Sequence, residues 1–191
     1  GLATAGQARA LAAVGGDVFP VLAQQSIREM DRDSVRAQYK RVYRFLLHAL
    51  DLRRVSKLPA RDVDAVEARS IAAFVALALR LAETQFRPLF LRTYDWAVVD
   101  LVDESDAAGA DARLLVFYRV VLALLEHLRG MFTVYFAVVL ENAVETLGRL
   151  GGGGNDELWS AVVCSVSVCA QMDEGTFWTA QRANRVAEPL V

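Results

Sequence analysis

Apolar residues recur at intervals of three and four almost from one end of the chain to the other. That is the period of one face of an α-helix, so the chain is expected to be helical throughout. Glycine pairs, prolines and short polar runs punctuate the pattern. Helices are expected over about residues 3–14, 17–30, 32–54, 59–83, 88–101, 112–128, 132–150 and 155–172, with another opening near 177. Pro20 falls in the first turn of the second, where a missing amide hydrogen costs little. Residues 162–169 alternate valine and serine as a strand would. Leu158, Val162, Val166 and Cys169 also share a helical face, and no other segment offers a strand partner, so helix is preferred. Residues 102–111 hold acidic and small side chains and read as an exposed loop; the four glycines within 151–155 read as a flexible one.

The last helices group as antiparallel pairs, with a step of about 40–50 residues from pair to pair, the range of HEAT and armadillo repeats. A single pair cannot bury its apolar face; stacking does so. The expected fold is all-α: an irregular solenoid of antiparallel helix pairs. Residues 1–191 are expected to be one segment of a much larger solenoid, because the chain opens at Gly1 and stops in an apolar run at Val191. Residues 177–191 look like the first helix of a pair. A mean hydropathy of +0.27 suggests a surface covered by neighbouring repeats.

One stretch organises the middle of the chain. Phe86, Arg87, Pro88, Leu89 and Phe90, followed by Trp96, read as a rigid aromatic corner. One helix would end near Glu83 and the next begin at or just before Pro88, with Arg87 pushed out of helical geometry. The phenylalanines and Trp96 at helical spacing are expected in the core. Arg87 is expected to bond helix-end carbonyls or a carboxylate such as Glu83 or Asp95.

Little points to chemistry. His48 and His127 lie mid-helix among leucines, and no His, Cys, Asp or Glu cluster has metal-ligand spacing. Cys164 and Cys169 sit on one helix, badly placed for a mutual disulfide, and are expected as buried thiols. The glycine run lacks the lysine and hydroxyl of a phosphate loop. No catalytic residue, cofactor, metal or small-molecule substrate is expected. The longest uncharged run, 158–172, is shorter than the roughly 18–20 residues that span a bilayer, so no membrane is expected.

The most suggestive surface feature is a basic ladder: Arg28, Arg32, Arg36, Lys40 and Arg44, each four apart. On a continuous helix such residues are neighbours, and together they could neutralise a polyanion or meet an acidic partner. Asp31 and Asp33 could break the helix, leaving instead a solvated face. Net charge is −2, but residues 1–57 hold 10 basic and 5 acidic residues (+5), and residues 58–191 hold 11 and 18 (−7). Arg53, Arg54, Lys57 and Arg61 form a looser cluster suited to a helix carboxyl end.

The run Leu81-Ala82-Glu83-Thr84-Gln85-Phe86-Arg87-Pro88-Leu89-Phe90, with Tyr94-Asp95-Trp96-Ala97, resembles the C-terminal region of a family of large HEAT-repeat proteins of the small-subunit processome. This is the U3 small nucleolar RNA-associated protein 10 and HEAT repeat-containing protein 1 family. Residues 46–54, and Phe117-Tyr118-Arg119 through Leu128-Arg129 and Tyr135, extend the likeness over roughly the middle two thirds. The resemblance implies a nucleolar, non-catalytic scaffold segment. It would support early pre-ribosomal RNA assembly and U3-dependent processing of small-subunit rRNA, with a link to rRNA transcription. Its partners would be other processome proteins, and pre-ribosomal RNA with the U3 small nucleolar ribonucleoprotein, directly or indirectly. The residues by themselves also allow a helical-repeat adaptor for protein cargo.

Overall fold

The structure, a computed structural model, describes residues 19–55, 59–100, 106–151, 154–175 and 177–190, with backbone only for 19–23 and 190. The expected helix over 3–14 and the middle of the glycine run lie outside these. Among the described residues there are ten α-helices and no strand: α1 Phe19–Glu29, α2 Arg32–Leu50, α3 Leu52–Val55, α4 Ala60–Ala78, α5 Glu83–Val98, α6 Ala107–Leu128, α7 Gly130–Thr133, α8 Phe136–Leu150, α9 Asp156–Met172 and α10 Ala180–Ala187. The architecture is an all-α solenoid. Residues 162–169 are helical within α9.

Local chemistry sets several boundaries. Asp31 caps α2, its Oδ1 accepting from the Ser34 amide at 2.8 Å. This satisfies one of the amides that a helix start leaves without a partner. Asp106 caps α6 in the same way, accepting from Gly109 at 2.9 Å. The cap and the alanines after it start α6 at Ala107, five residues ahead of the expected 112, which shortens the acidic loop. Asn155 caps α9 through the Leu158 amide.

The corner differs from the expectation. α4 stops at Ala78, the chain turns through residues 79–82, and Pro88 lies inside α5. Arg87 is therefore helical. Gln85 makes the earlier start possible: its Oε1 accepts from the Ala82 amide at 3.3 Å, half of a capping box, since Ala82 has no side-chain oxygen to return the bond. Phe86, Leu89, Phe90 and Trp96 are buried, while Arg87 and Pro88 are exposed. Phe86 and Phe90 stack with centroids 6.0 Å apart, and Phe132 meets Phe90 edge-on at 5.1 Å. Among the described residues Arg87 has no ion pair with Glu83 or Asp95, because inside a helix it points to solvent rather than into a corner.

α6 is the axis of the core. It packs against α3, α4, α5 and, most extensively, α9. Val116, Phe117, Tyr118, Val120, Val121, Leu124 and Leu125 are all fully buried. A helix with so wide an apolar surface must be enclosed, so much of the positive hydropathy is used inside the described core. Arg129, with φ of 51°, turns the chain after α6. α8 reaches α6 through a buried bond from the Tyr118 hydroxyl to Asn142 Oδ1 at 2.9 Å. α10 folds back on α8, with Val186 buried.

Charged side chains join the layers. Glu67 on α4 is buried and accepts from Arg53 Nε at 2.7 Å and from Arg119 on α6. Asp64 shares both arginines, and Glu157 on α9 reaches Arg119 at 3.5 Å. Arg53, expected to serve a helix carboxyl end, is thus a cross-helix tie.

Candidate functional site

A concavity of about 690 Å³ lies between α2 and α5 with α6 beneath it. α2 contributes Tyr39, Lys40, Tyr43, Arg44, Leu47, His48 and Asp51, a single face at helical spacing. α5 contributes Gln85, Pro88, Leu89, Arg92 and Trp96, again one face. The two helices are bridged by Tyr43, whose hydroxyl lies 3.1 Å from Thr93 Oγ1. Thr93 in turn donates to the Leu89 carbonyl at 2.9 Å, so Tyr43 acts as donor to Thr93. Burial pushes the Tyr43 phenol up to about 12, against the Thr93 hydrogen bond, so this bridge stays neutral.

Arg113 from α6 closes one end. It is buried, donates to Asp51 from Nε at 2.7 Å and Nη2 at 3.0 Å, and gives Nη1 to the Trp96 carbonyl at 3.1 Å. Its guanidinium lies 5.2 Å from the Trp96 ring centre. Asp51 also accepts from Arg54 Nη2 at 3.0 Å. Burial raises the Asp51 carboxyl, but hydrogen bonds from Arg113 and Arg54 outweigh it and hold the group below 3.8. Arg92 at the rim is held by Asp100 through two bonds of 3.1 and 2.8 Å.

The basic ladder does not form one row. All five members are exposed. Arg28, however, belongs to α1, and the cap at Asp31 separates it from Arg32. Arg28 lines a second groove with Ile71, Val75 and Leu79 of the α1–α4 region. Along α2, residues four apart advance by about 40° per step at 3.6 residues per turn. Arg32 and Arg36 therefore wind away, and only Lys40 and Arg44 reach the cleft rim.

The sequence reading missed Asp51, Arg92 and Arg113 as parts of this site. The one available signal was Arg113 itself, a lone arginine opening the apolar run Leu114-Leu115-Val116-Phe117.

The histidines and cysteines do not converge. His48 and His127 keep their flanking leucines but sit in the last turns of α2 and α6 rather than mid-helix, and both are exposed. Each ring Nδ1 donates to the carbonyl four residues back, at 2.6 and 2.8 Å. Cys169 is buried, and burial pushes its thiol up to about 11. Cys164 is exposed, contrary to expectation, because its position falls on the outer face of α9. Among the described residues no group of three or more His, Cys, Asp and Glu could hold a metal ion, and no helix is long and apolar enough to cross a membrane.

Comparison with known proteins places this geometry. The chain is 36% identical over 192 residues to U3 small nucleolar RNA-associated protein 10 of Mycosarcoma maydis, covering 87% of the chain and 8% of that protein. It is 33% identical to the protein of that name in Schizosaccharomyces pombe, over 82% of the chain and 9% of that protein. It is 30% identical to HEAT repeat-containing protein 1 of Macaca fascicularis, over 73% of the chain and 14% of that protein. The chain thus spans about a tenth of the length of these relatives, whose names denote no reaction. No solved structure matches it. The BP28CT (NUC211) domain matches residues 34–178, from the first turn of α2 to the segment before α10, and the chain belongs to that family.

Proposed function

We propose that this chain is a non-catalytic scaffold segment of a large helical-repeat protein of the small-subunit processome. It supports early pre-ribosomal RNA assembly and U3-dependent processing of small-subunit rRNA in the nucleolus, and connects this work to rRNA transcription. The observation that supports the reading is the family match over residues 34–178, which takes in Arg36, Lys40 and Arg44 of α2 and the whole cleft. The relatives' name adds the association with U3 small nucleolar RNA. Other processome proteins are the direct partners of the segment; pre-ribosomal RNA and the U3 particle are engaged directly or through them.

In this reading Arg32, Arg36, Lys40 and Arg44 form the contact edge on α2, with Arg28 a separate cation on α1. The buried members of the corner, Phe86, Leu89, Phe90 and Trp96, hold the fold. Arg87 presents the outer side of α5, while Pro88 faces the cleft.

The test is affinity purification of the tagged parent protein from nuclear extract, with RNA and protein identification. Recovery of U3 small nucleolar RNA, unprocessed pre-ribosomal RNA and early processome proteins is expected. Charge reversal at Arg32, Arg36, Lys40 and Arg44 together is expected to reduce that recovery while the helical content is kept. Recovery of cytoplasmic cargo without ribosomal precursors would overturn the reading in favour of a cargo adaptor.

A further inference from the structure

The α2–α5 cleft has a shape and a charge distribution that select among macromolecular partners. Its walls are tied at two places: Tyr43 meets Thr93, and Asp51 meets Arg113 beside Trp96 at one end. From Tyr39 to Asp51 the α2 wall extends about 18 Å at 1.5 Å per residue. That is the length of about three turns of a guest helix. Leu47, Leu89 and Pro88 supply apolar lining above the Tyr43 bridge.

The charge at this groove is mostly of one sign. Asp51 is already bound by Arg113 and Arg54, and Asp100 by Arg92. Lys40 and Arg44 stand exposed on the rim with no carboxylate partner among the described residues. An apolar trough with unopposed cations on its rim complements an amphipathic helix with an apolar stripe and acidic flanks.

We propose that this groove docks an acidic amphipathic helix of a protein partner, its apolar stripe lying between Leu47 and Pro88 and its carboxylates meeting Lys40 and Arg44. The proposal deepens the scaffold reading by naming the class of partner and where it sits. A single-stranded RNA fits less well. Binding of a strand uses open aromatic faces for successive bases and cations along the backbone track. Here the Tyr43 and Trp96 rings are buried, and the α5 wall at Gln85, Pro88 and Leu89 carries no charge.

The test uses the 191-residue chain and fluorescence anisotropy with four labelled probes. The first is a synthetic helix of about four turns with leucines on one stripe and glutamates elsewhere. The second replaces glutamate by lysine, the third replaces leucine by alanine, and the fourth is a short oligouridylate. The acidic leucine helix is expected to bind at least about tenfold tighter than each of the others, a difference of about 1.4 kcal/mol. The double variant Lys40→Glu with Arg44→Glu should lose that preference and favour the lysine helix. Pro88→Asp, on the opposite wall, should weaken the acidic helix with unchanged circular dichroism. Three results would overturn the proposal: no binding of the acidic helix, binding indifferent to the Lys40 and Arg44 reversals, or an oligouridylate that competes equally well. Such a failure alongside recovery of U3 RNA by the parent protein removes the groove and leaves the processome reading. The converse pair of results removes the processome reading and leaves the groove.

Discussion

Replacing Asp51 by alanine is expected to destabilise the fold by about 3 kcal/mol. The carboxylate takes five hydrogen bonds, two from Arg113 and three from Arg54, whose Nε is shared between both oxygens. Its loss strands the Arg113 guanidinium, whose side chain is only 10% exposed, with the Trp96 carbonyl as its remaining acceptor. Breaking one side of a buried pair costs about 3–5 kcal/mol, because the remaining charge is left without compensation. Asp51 keeps 16% of its side-chain exposure, so water can reach part of the gap and the lower end applies. Arg113→Met is milder, about 1–2 kcal/mol, since Arg54 still satisfies Asp51. The double variant should cost about 2 kcal/mol less than the two singles added together, because the second change removes the charge that the first stranded. Urea unfolding followed by far-ultraviolet circular dichroism measures all three. If Asp51→Ala costs under about 1 kcal/mol, or the two changes simply add, the pair is a solvated contact and the reasoning fails.

Acid should expose the same carboxylate. Asp51 is held below its unfolded value, so its stabilisation is complete above about pH 4 and lost as pH falls through the lower, folded value; the acid limb of stability against pH should be shallower in Asp51→Ala. Phe90→Ala, at a fully buried ring packed on Phe86 and Phe132, should cost about 3–5 kcal/mol in the same urea assay. Pro88→Ala restores an amide to an exposed helical position and should raise stability by about 1 kcal/mol, read as a higher melting temperature. Ellman's reagent should label Cys164 in the native protein within the mixing time, and Cys169 only as the chain unfolds.

The helices were legible because their apolar faces repeat at three and four. Asp31 was legible as a break between Arg28 and Arg32, because a short acidic side chain competes with the helix for backbone amides. The corner was not. A proline invites placement at the first helical position, yet Pro88 is tolerated five residues further on, where the Gln85 side chain has already secured the start at Glu83. Arg53 and Glu67 are fourteen apart in sequence, and Asp51 and Arg113 sixty-two apart. Neither pairing follows from local spacing, so the two ion-pair networks emerged only with the packing of α3 and α4 on α6. The ladder was readable as five cations but not as a surface. Whether four-residue spacing makes a row depends on helix continuity at Asp31 and on the drift of that spacing around α2.

α6 touches helices on both sides of itself, and the Glu67 cluster fastens α4 to α6 with Glu157 of α9 close by. In a simple helical array each unit meets only its neighbours, and a pull on one end is taken up as small rotations, as in a coil spring. Here a shared central member couples three successive layers, so bending between them would require a helix buried along its middle to shear against several partners at once. Under tension α4, α6 and α9 are therefore expected to move together as one stiff unit.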